Sequence, residues 1–195
     1  VVLMNVDDTG WGDYGFNNPA KSRDTPHLDA LRAEGMRFTD LHAGASVCTP
    51  SRAALLTGRI GLRTGVVGNF KPYSVGGLPS SETTIATLLR RAGYATGMAG
   101  KWHLGHRPGL LPLDQGFDEY VGVPYSNDMA QIHRGKNSKY KFRLPFMNGN
   151  KVVGWEPDQR ELTKRYTEAT VDFIERNKDQ PFFAYVPHSM PHIPL

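Results

Sequence analysis

Two adjacent carboxylates, Asp7 and Asp8, follow the short apolar run Val1 to Val6. That run reads as a buried strand ending in a functional loop. Neighbouring carboxylates there repel unless a cation or a basic side chain compensates them. Calcium or magnesium suits two oxygen donors, whereas zinc wants more nitrogen or sulfur. From the pair alone a solvated turn is the simpler reading. The single cysteine, Cys48, stands in Ser46-Val47-Cys48-Thr49-Pro50-Ser51-Arg52, where Thr49-Pro50 signals a helix start running through Leu55-Leu56 to Gly58. A sulfur at a helix N-terminus with Arg52 one turn along favours anions and predicts a lowered thiol pKa. Without that context the cysteine reads as buried filler.

Cys48, Pro50, Ser51, Arg52, Leu55, Leu56, Thr57 and Gly58 match the pattern C-x-P-S-R followed by apolar residues and T-G. Gly93-Tyr94-Ala95-Thr96-Gly97-Met98-Ala99-Gly100-Lys101-Trp102-His103 matches a second pattern, G-Y-x-T-x-x-x-G-K-x-H. On these two signatures the chain resembles the sulfatase family over its whole length. Leu78-Pro79, Trp102-His103-Leu104-Gly105 and Gly122-Val123-Pro124-Tyr125-Ser126 make it look most like the arylsulfatase A and N-acetylgalactosamine sulfatase branch.

The resemblance implies an alkaline-phosphatase-like α/β/α sandwich with a mostly parallel central sheet. It also implies that a formylglycine-generating enzyme oxidises Cys48 to formylglycine. The hydrated aldehyde offers one hydroxyl to attack sulfur and another to expel sulfate, dividing one hard step into two. Asp7 and Asp8, with residue 48, then correspond to ligands of a calcium ion, with magnesium the lesser choice, and the ion polarises sulfate oxygens. Arg52 holds the diol, and Lys101 bridges diol and sulfate. His103 contacts the diol as a base of near-neutral pKa, Ser126 touches sulfate, and His192 assists the leaving group. His188 is the nearby decoy, and His27, His42, His106 and His133 read as solvated or structural. Family members are longer, with a D-N pair and a further lysine of the site in a later part. Residues 1–195 are therefore expected to be the N-terminal part of a catalytic domain, truncated at the C-terminus and feeble or inactive alone. The family also favours a periplasmic or secreted location.

The elements that must position these groups follow from periodicity. Thr25-Pro26 to Gly35 predicts a short helix and Met36 to Leu41 a weakly alternating strand. Ser80 or Ser81 is expected to cap a helix through Ile85, Leu88, Leu89 and Ala92, closed by Gly93, with a strand over Tyr94 to Ala99. Gly100 to Pro124 reads as loop, Asn148-Gly149 as a two-residue hairpin turn, Leu162 to Phe173 as a helix and Pro181 to Val186 as a strand. Alternating strands and helices give an α/β class with helices on both sheet faces. The loop region near residues 125–145 is the best candidate boundary.

The 195 residues are 39% hydrophobic and 22% charged, the composition of a globular domain rather than a fibrous or disordered chain. A net charge of +4 is too small for a dedicated nucleic-acid binder yet favours anionic partners, such as a sulfate-ester small molecule or a sulfated glycan. One cysteine precludes an internal disulfide, and no apolar run approaches the roughly 20 residues that span a bilayer. Gly10-Trp11-Gly12-Asp13-Tyr14-Gly15 formally matches G-x-G-x-x-G, but Phe16 to Pro19 breaks the required helix and three aspartates repel phosphate. The basic run from Arg134 to Arg143 reads as a glycan-steering segment or a solvated loop. The alternatives are a phosphonate or phosphate monoester hydrolase of the same superfamily, and a non-catalytic anion- or glycan-binding fragment whose Cys48 stays a thiol.

Overall fold

The computed structural model describes residues 1–20, 25–133 and 142–194. A six-stranded sheet is built from β1 (Val2–Asn5), β2 (Ala95–Lys101), β3 (Glu119–Val123), β4 (Pro145–Asn148), β5 (Lys151–Trp155) and β6 (Phe182–Pro187), in the order β1-β6-β2-β3-β4-β5. The pairs β1–β6, β6–β2 and β2–β3 are parallel, and β4–β5 adds an antiparallel hairpin beside β3. Five helices accompany them among the described residues: α1 (Pro26–Glu34), α2 (Cys48–Thr57), α3 (Gly61–Thr64), α4 (Ile85–Arg91) and α5 (Leu162–Asn177).

Side-chain alternation on the strands fixes the layers. Met98 of β2 and Phe183 and Tyr185 of β6 join Ala53 and Leu56 of α2 and Ala86 of α4 in one buried cluster. Ala99 and Val123 face the other way and pack with Leu162 and Tyr166 of α5. The sheet is thus covered on both faces, as its parallel strands require. Gly97 lets α5 close on the sheet, since a Cβ there would lie 2.7 Å from the Phe173 ring.

Several local expectations shift. Val47 rather than Thr49 precedes α2, so Cys48 is its first residue. Thr84, not Ser80 or Ser81, caps α4, its Oγ1 accepting from Thr87 N at 3.1 Å. The stretch read as loop contains β3, which forms because its backbone completes the β2 ladder from Gly97 to Lys101. Asn148 pairs with Lys151, so the hairpin turn is Gly149-Asn150. Met36 to Leu41 forms no strand, and Met36, Phe38 and Leu41 are exposed.

The chain divides into two compact units, Val1–Asp7 with Gly44–Leu195, and Asp8–Ala43. The division falls at Asp7/Asp8 and Ala43/Gly44 rather than near residues 125–145. The smaller unit buries none of its described residues. Polar and cation–π contacts tie it together instead: Gly15 N donates to Thr25 Oγ1 at 3.0 Å, and Arg37 lies 5.2 Å from the Trp11 ring centre and 5.4 Å from that of Phe16. After Gly10 the chain enters a single 3-10 turn, Trp11–Asp13, and α1 begins only at Pro26. The helix that a dinucleotide loop needs does not follow.

Candidate active site

The parallel strands deliver their chemistry at their carboxyl ends, where open α/β sheets bind ligands. Asp7 lies just beyond β1, Lys101 ends β2, Ser126 follows β3 and His192 follows β6. Gly100, at φ 144°, makes the close approach of strands possible here, because a Cβ on it would meet the Pro187 carbonyl oxygen at 2.1 Å. Cys48 is presented to this edge by the start of α2.

Lys101 is completely buried. Its Nζ donates to Asp7 Oδ2, to Ser126 Oγ at 2.9 Å and to Cys48 Sγ at 3.4 Å. The Cys48 thiol in turn reaches Asp7 Oδ1 at 3.6 Å. Arg52, 2% exposed, donates from Nη1 to the Lys101 carbonyl at 2.6 Å and holds Nη2 3.4 Å from Asp7 Oδ2. These are buried ion pairs rather than surface salt bridges. Despite burial, Arg52 and Lys101 hold the Asp7 carboxyl below the usual carboxylate range, so it is ionised at neutral pH. Two cations against one carboxylate leave this cluster with an excess positive charge suited to an anion.

The thiol departs from expectation. Burial pushes the Cys48 pKa up, and Asp7 adds to that, outweighing Lys101 and Arg52. Residue 48 therefore stays a protonated thiol at neutral pH, a poor nucleophile as it stands.

His103 is buried at φ 60°, its carbonyl accepting from Thr49 Oγ1 at 2.9 Å and its Nε2 bonded to the Phe70 carbonyl at 2.9 Å. Since a carbonyl only accepts, Nε2 carries the proton, and Nδ1 is left as a buried acceptor without a partner among the described residues. Burial, reinforced by Lys101, lowers the ring to about 3 rather than near neutrality. It is consequently a neutral base at physiological pH. Thr49 N donates to Asn69 Oδ1 at 2.9 Å.

His192 is half-buried, and its charge contributes to lowering the Asp7 pKa, which places it within electrostatic reach of the cluster. Its Nδ1 meets the Ile193 carbonyl at 2.6 Å. His188, the decoy, is partly buried, lowered by that burial, and anchored through its backbone to the Asn5 carbonyl at 2.8 Å. His42 pairs with Asp40 at 2.7 Å on the surface, and His106 meets the Tyr125 ring edge-on at 5.5 Å. Arg134 to Lys141 of the basic run lie outside the described residues. Asn69, Phe70, Asn127 and Gln159 have no signal in spacing, because each matters through a contact with a distant segment, and Thr49 reads in the sequence only as the start of α2.

Asp8 opens the smaller unit with a left-handed backbone, φ 57°. Among the described residues no group of three or more His, Cys, Asp or Glu side chains gathers as a metal cage. The ionised carboxylate of Asp7, followed in the chain by that of Asp8, suits a hard divalent cation in donor type. Two carboxylates remain fewer than the six to eight oxygens that calcium takes.

The family profile described as Sulfatase matches residues 1–195. The chain belongs to the sulfatase family. It is 43% identical over 218 residues to arylsulfatase G of Mus musculus, covering 100% of this chain and 41% of that protein. Over 211 residues it is 40% identical to arylsulfatase A of Homo sapiens, again covering 100% of this chain and 41% of the relative. A solved structure, Ps i-CgsB in complex with k-i-k-neocarrahexaose, superposes with a TM-score of 0.82 at 33% identity, covering 99% of this chain and 45% of that one. The sulfatase chain thus spans about two fifths of the length of the curated relatives it matches. Its sandwich is the alkaline-phosphatase-like fold of its sulfatase neighbours. Formylglycine and a divalent metal are general to this family.

Proposed function

We propose that the protein to which these residues belong hydrolyses sulfate esters, yielding an alcohol or phenol and sulfate. One observation carries this reading. Lys101 Nζ stands within hydrogen-bond reach of Cys48, Ser126 and Asp7 at once, with Arg52 backing the same carboxylate.

Formylglycine at position 48, made by a formylglycine-generating enzyme, supplies as its hydrate the oxygen nucleophile that the protonated thiol does not. Asp7 and residue 48, with Asp8 next in the chain, would hold a divalent cation, calcium rather than magnesium, which would supply Lewis-acid polarisation of the sulfate oxygens. Lys101 holds a sulfate oxygen next to residue 48 and offsets charge that grows in the transition state. Ser126 hydrogen-bonds sulfate while accepting from Lys101. Arg52 keeps Asp7 ionised and fixes the end of β2 through the Lys101 carbonyl. His103, neutral and with its Nδ1 acceptor lacking a partner among the described residues, accepts a hydrogen bond from a hydroxyl of the hydrated residue 48. His192 protonates the departing oxygen. Across the cycle one water is consumed, its oxygen ending on sulfate and one hydrogen on the alcohol. The substrate is a small sulfate ester or a sulfated glycan, met in the periplasm or outside the cell.

The test compares nitrophenyl sulfate with nitrophenyl phosphate and phosphonate, using the full-length protein co-expressed with a formylglycine-generating enzyme. The expected result is a higher kcat/KM on the sulfate. Preference for phosphate or phosphonate would replace the reading with a phosphoester hydrolase. Salt-sensitive binding of sulfated polysaccharide without turnover would leave a non-catalytic binder.

A further inference from the structure

Helix α2, which presents residue 48, has no side-chain cap of its own. Val47 stands at its N-cap position and carries no side-chain oxygen. Pro50 has no N–H, and Ser51 N donates to the Val47 carbonyl at 3.2 Å, so the donors that the first turn leaves over are Cys48 N and Thr49 N. Asn69, 20 residues beyond Thr49, takes the capping role from outside the helix: its Oδ1 accepts from Thr49 N at 2.9 Å.

The next residue acts on His103. Phe70 N donates to Thr49 Oγ1 at 3.4 Å, Thr49 Oγ1 donates to the His103 carbonyl at 2.9 Å, and His103 Nε2 donates to the Phe70 carbonyl at 2.9 Å. Thr49 is 0% and His103 1% exposed, so water does not compete for these bonds. Together they tie the start of α2, the pair Asn69-Phe70 and the residues after β2 into one closed network. His103 sits at φ 60°, a left-handed backbone that a residue other than glycine keeps only where its surroundings over-determine it. The network supplies that constraint. Buried Val66 and partly buried Phe70 pack on the core and anchor the loop on either side of Asn69.

We propose that Asn69 is a positioning residue for sulfate ester hydrolysis. It acts on two groups at once, holding residue 48 in place through the cap on α2 and holding, through Phe70, the Nε2–H tautomer of His103. This rests on the sulfatase reading above. The tautomer matters because only that neutral form leaves Nδ1 an acceptor for the hydrate of residue 48. Placement matters because a shift of about 1 Å at a reacting group can cost roughly a hundredfold in rate. Lys101 and Ser126, to which that reading gives the sulfate, bond to each other and not to Asn69, so substrate affinity is expected to stay as it is.

In the full-length protein, Asn69→Ala is compared with the unaltered chain and with Thr84→Ala, which removes the cap of α4, a helix that carries no site residue. Rates are divided by the fraction of residue 48 converted, read by mass spectrometry. Asn69→Ala is expected to lower kcat on nitrophenyl sulfate by about tenfold to a hundredfold with KM within about twofold, whereas Thr84→Ala lowers Tm and leaves kcat within about twofold. If Asn69→Ala does not fold, Asn69→Ser, one bond shorter in reach, carries the same expectation. A lowered Tm with unchanged kcat reduces Asn69 to a helix cap and overturns the proposal, as does an equal fall of kcat in both variants or a change confined to KM. Histidine NMR needs no turnover and separates this failure from failure of sulfate ester hydrolysis itself. Where the unaltered protein turns over no sulfate ester, a His103 ring that passes from a single Nε2–H tautomer to a mixture in Asn69→Ala, and not in Thr84→Ala, upholds the positioning. Unmoved ring nitrogens overturn it.

Discussion

Lys101 has the most to lose among the site residues, because one ammonium group serves Asp7, Ser126 and Cys48. Lys101→Met keeps much of the stem and removes the charge. Asp7 then retains Arg52 alone, and breaking one side of a buried ion pair costs about 3–5 kcal/mol. The expected outcome is a Tm drop together with a fall in kcat on nitrophenyl sulfate of about 10²-fold or more, measured in the full-length protein. A stable variant with unchanged kcat would remove Lys101 from the chemistry. The lysine was readable in the sequence because it sits in G-K-x-H at a strand end. The direction of the Cys48 shift was not: a helix N-terminus and Arg52 argue for a lowered thiol, but burial and the Asp7 carboxylate, which comes from 41 residues away, reverse the sign. Asn127 and Gln159 escaped for the same reason, since each matters through contacts with distant segments.

Elements with a complete internal signal appeared where periodicity put them. Leu162, Tyr166, Ala169 and Phe173 mark α5, which runs Leu162–Asn177 and buries three of those four side chains. Elements that depend on a partner were misread in both directions. β3 exists because β2 offers it a ladder, although Gly122 interrupts its apolar pattern. Met36 to Leu41 alternates without any strand to pair with. Gly100 is the position where an element tolerates least, as its φ of 144° and the Pro187 carbonyl at 2.1 Å from a built Cβ leave no room. Gly100→Ala must push β2 from β6 just before Lys101, at a cost of about 1–3 kcal/mol or more from overpacking and strain. Denaturant melts should show that loss, whereas Gly93→Ala, at φ 87° with open space around its Cβ, should show backbone strain alone.

At the scale of the whole molecule, buried neutral histidines tie stability to pH. His103 titrates at about 3 when folded and at 6.5 when unfolded, so between those values the unfolded chain binds a proton that the folded chain refuses. Stability is full above pH 6.5 and declines as pH falls toward 3, by at most roughly 1.4 kcal/mol per pH unit from this ring. His188 and His106, also lowered by burial, act with the same sign. Asp7, lowered from 3.8, contributes stability that is complete above that value and is lost as pH falls below it. Urea melts across pH 4 to 7 should show this decline, and His103→Gln should flatten part of it; an unaltered slope would mean that the ring is protonated in the folded state.

The central claim is that residue 48 is read as a sulfatase nucleophile. Its most direct test is mass spectrometry of the tryptic peptide Phe38 to Arg52 after co-expression with an active formylglycine-generating enzyme, alongside a known sulfatase as control. The sequence signature and the buried lysine beside Cys48 predict an aldehyde, or its hydrate, in place of the thiol. An intact cysteine beside a converted control would contradict the claim and leave the chain an anion-binding relative of the enzymes it resembles.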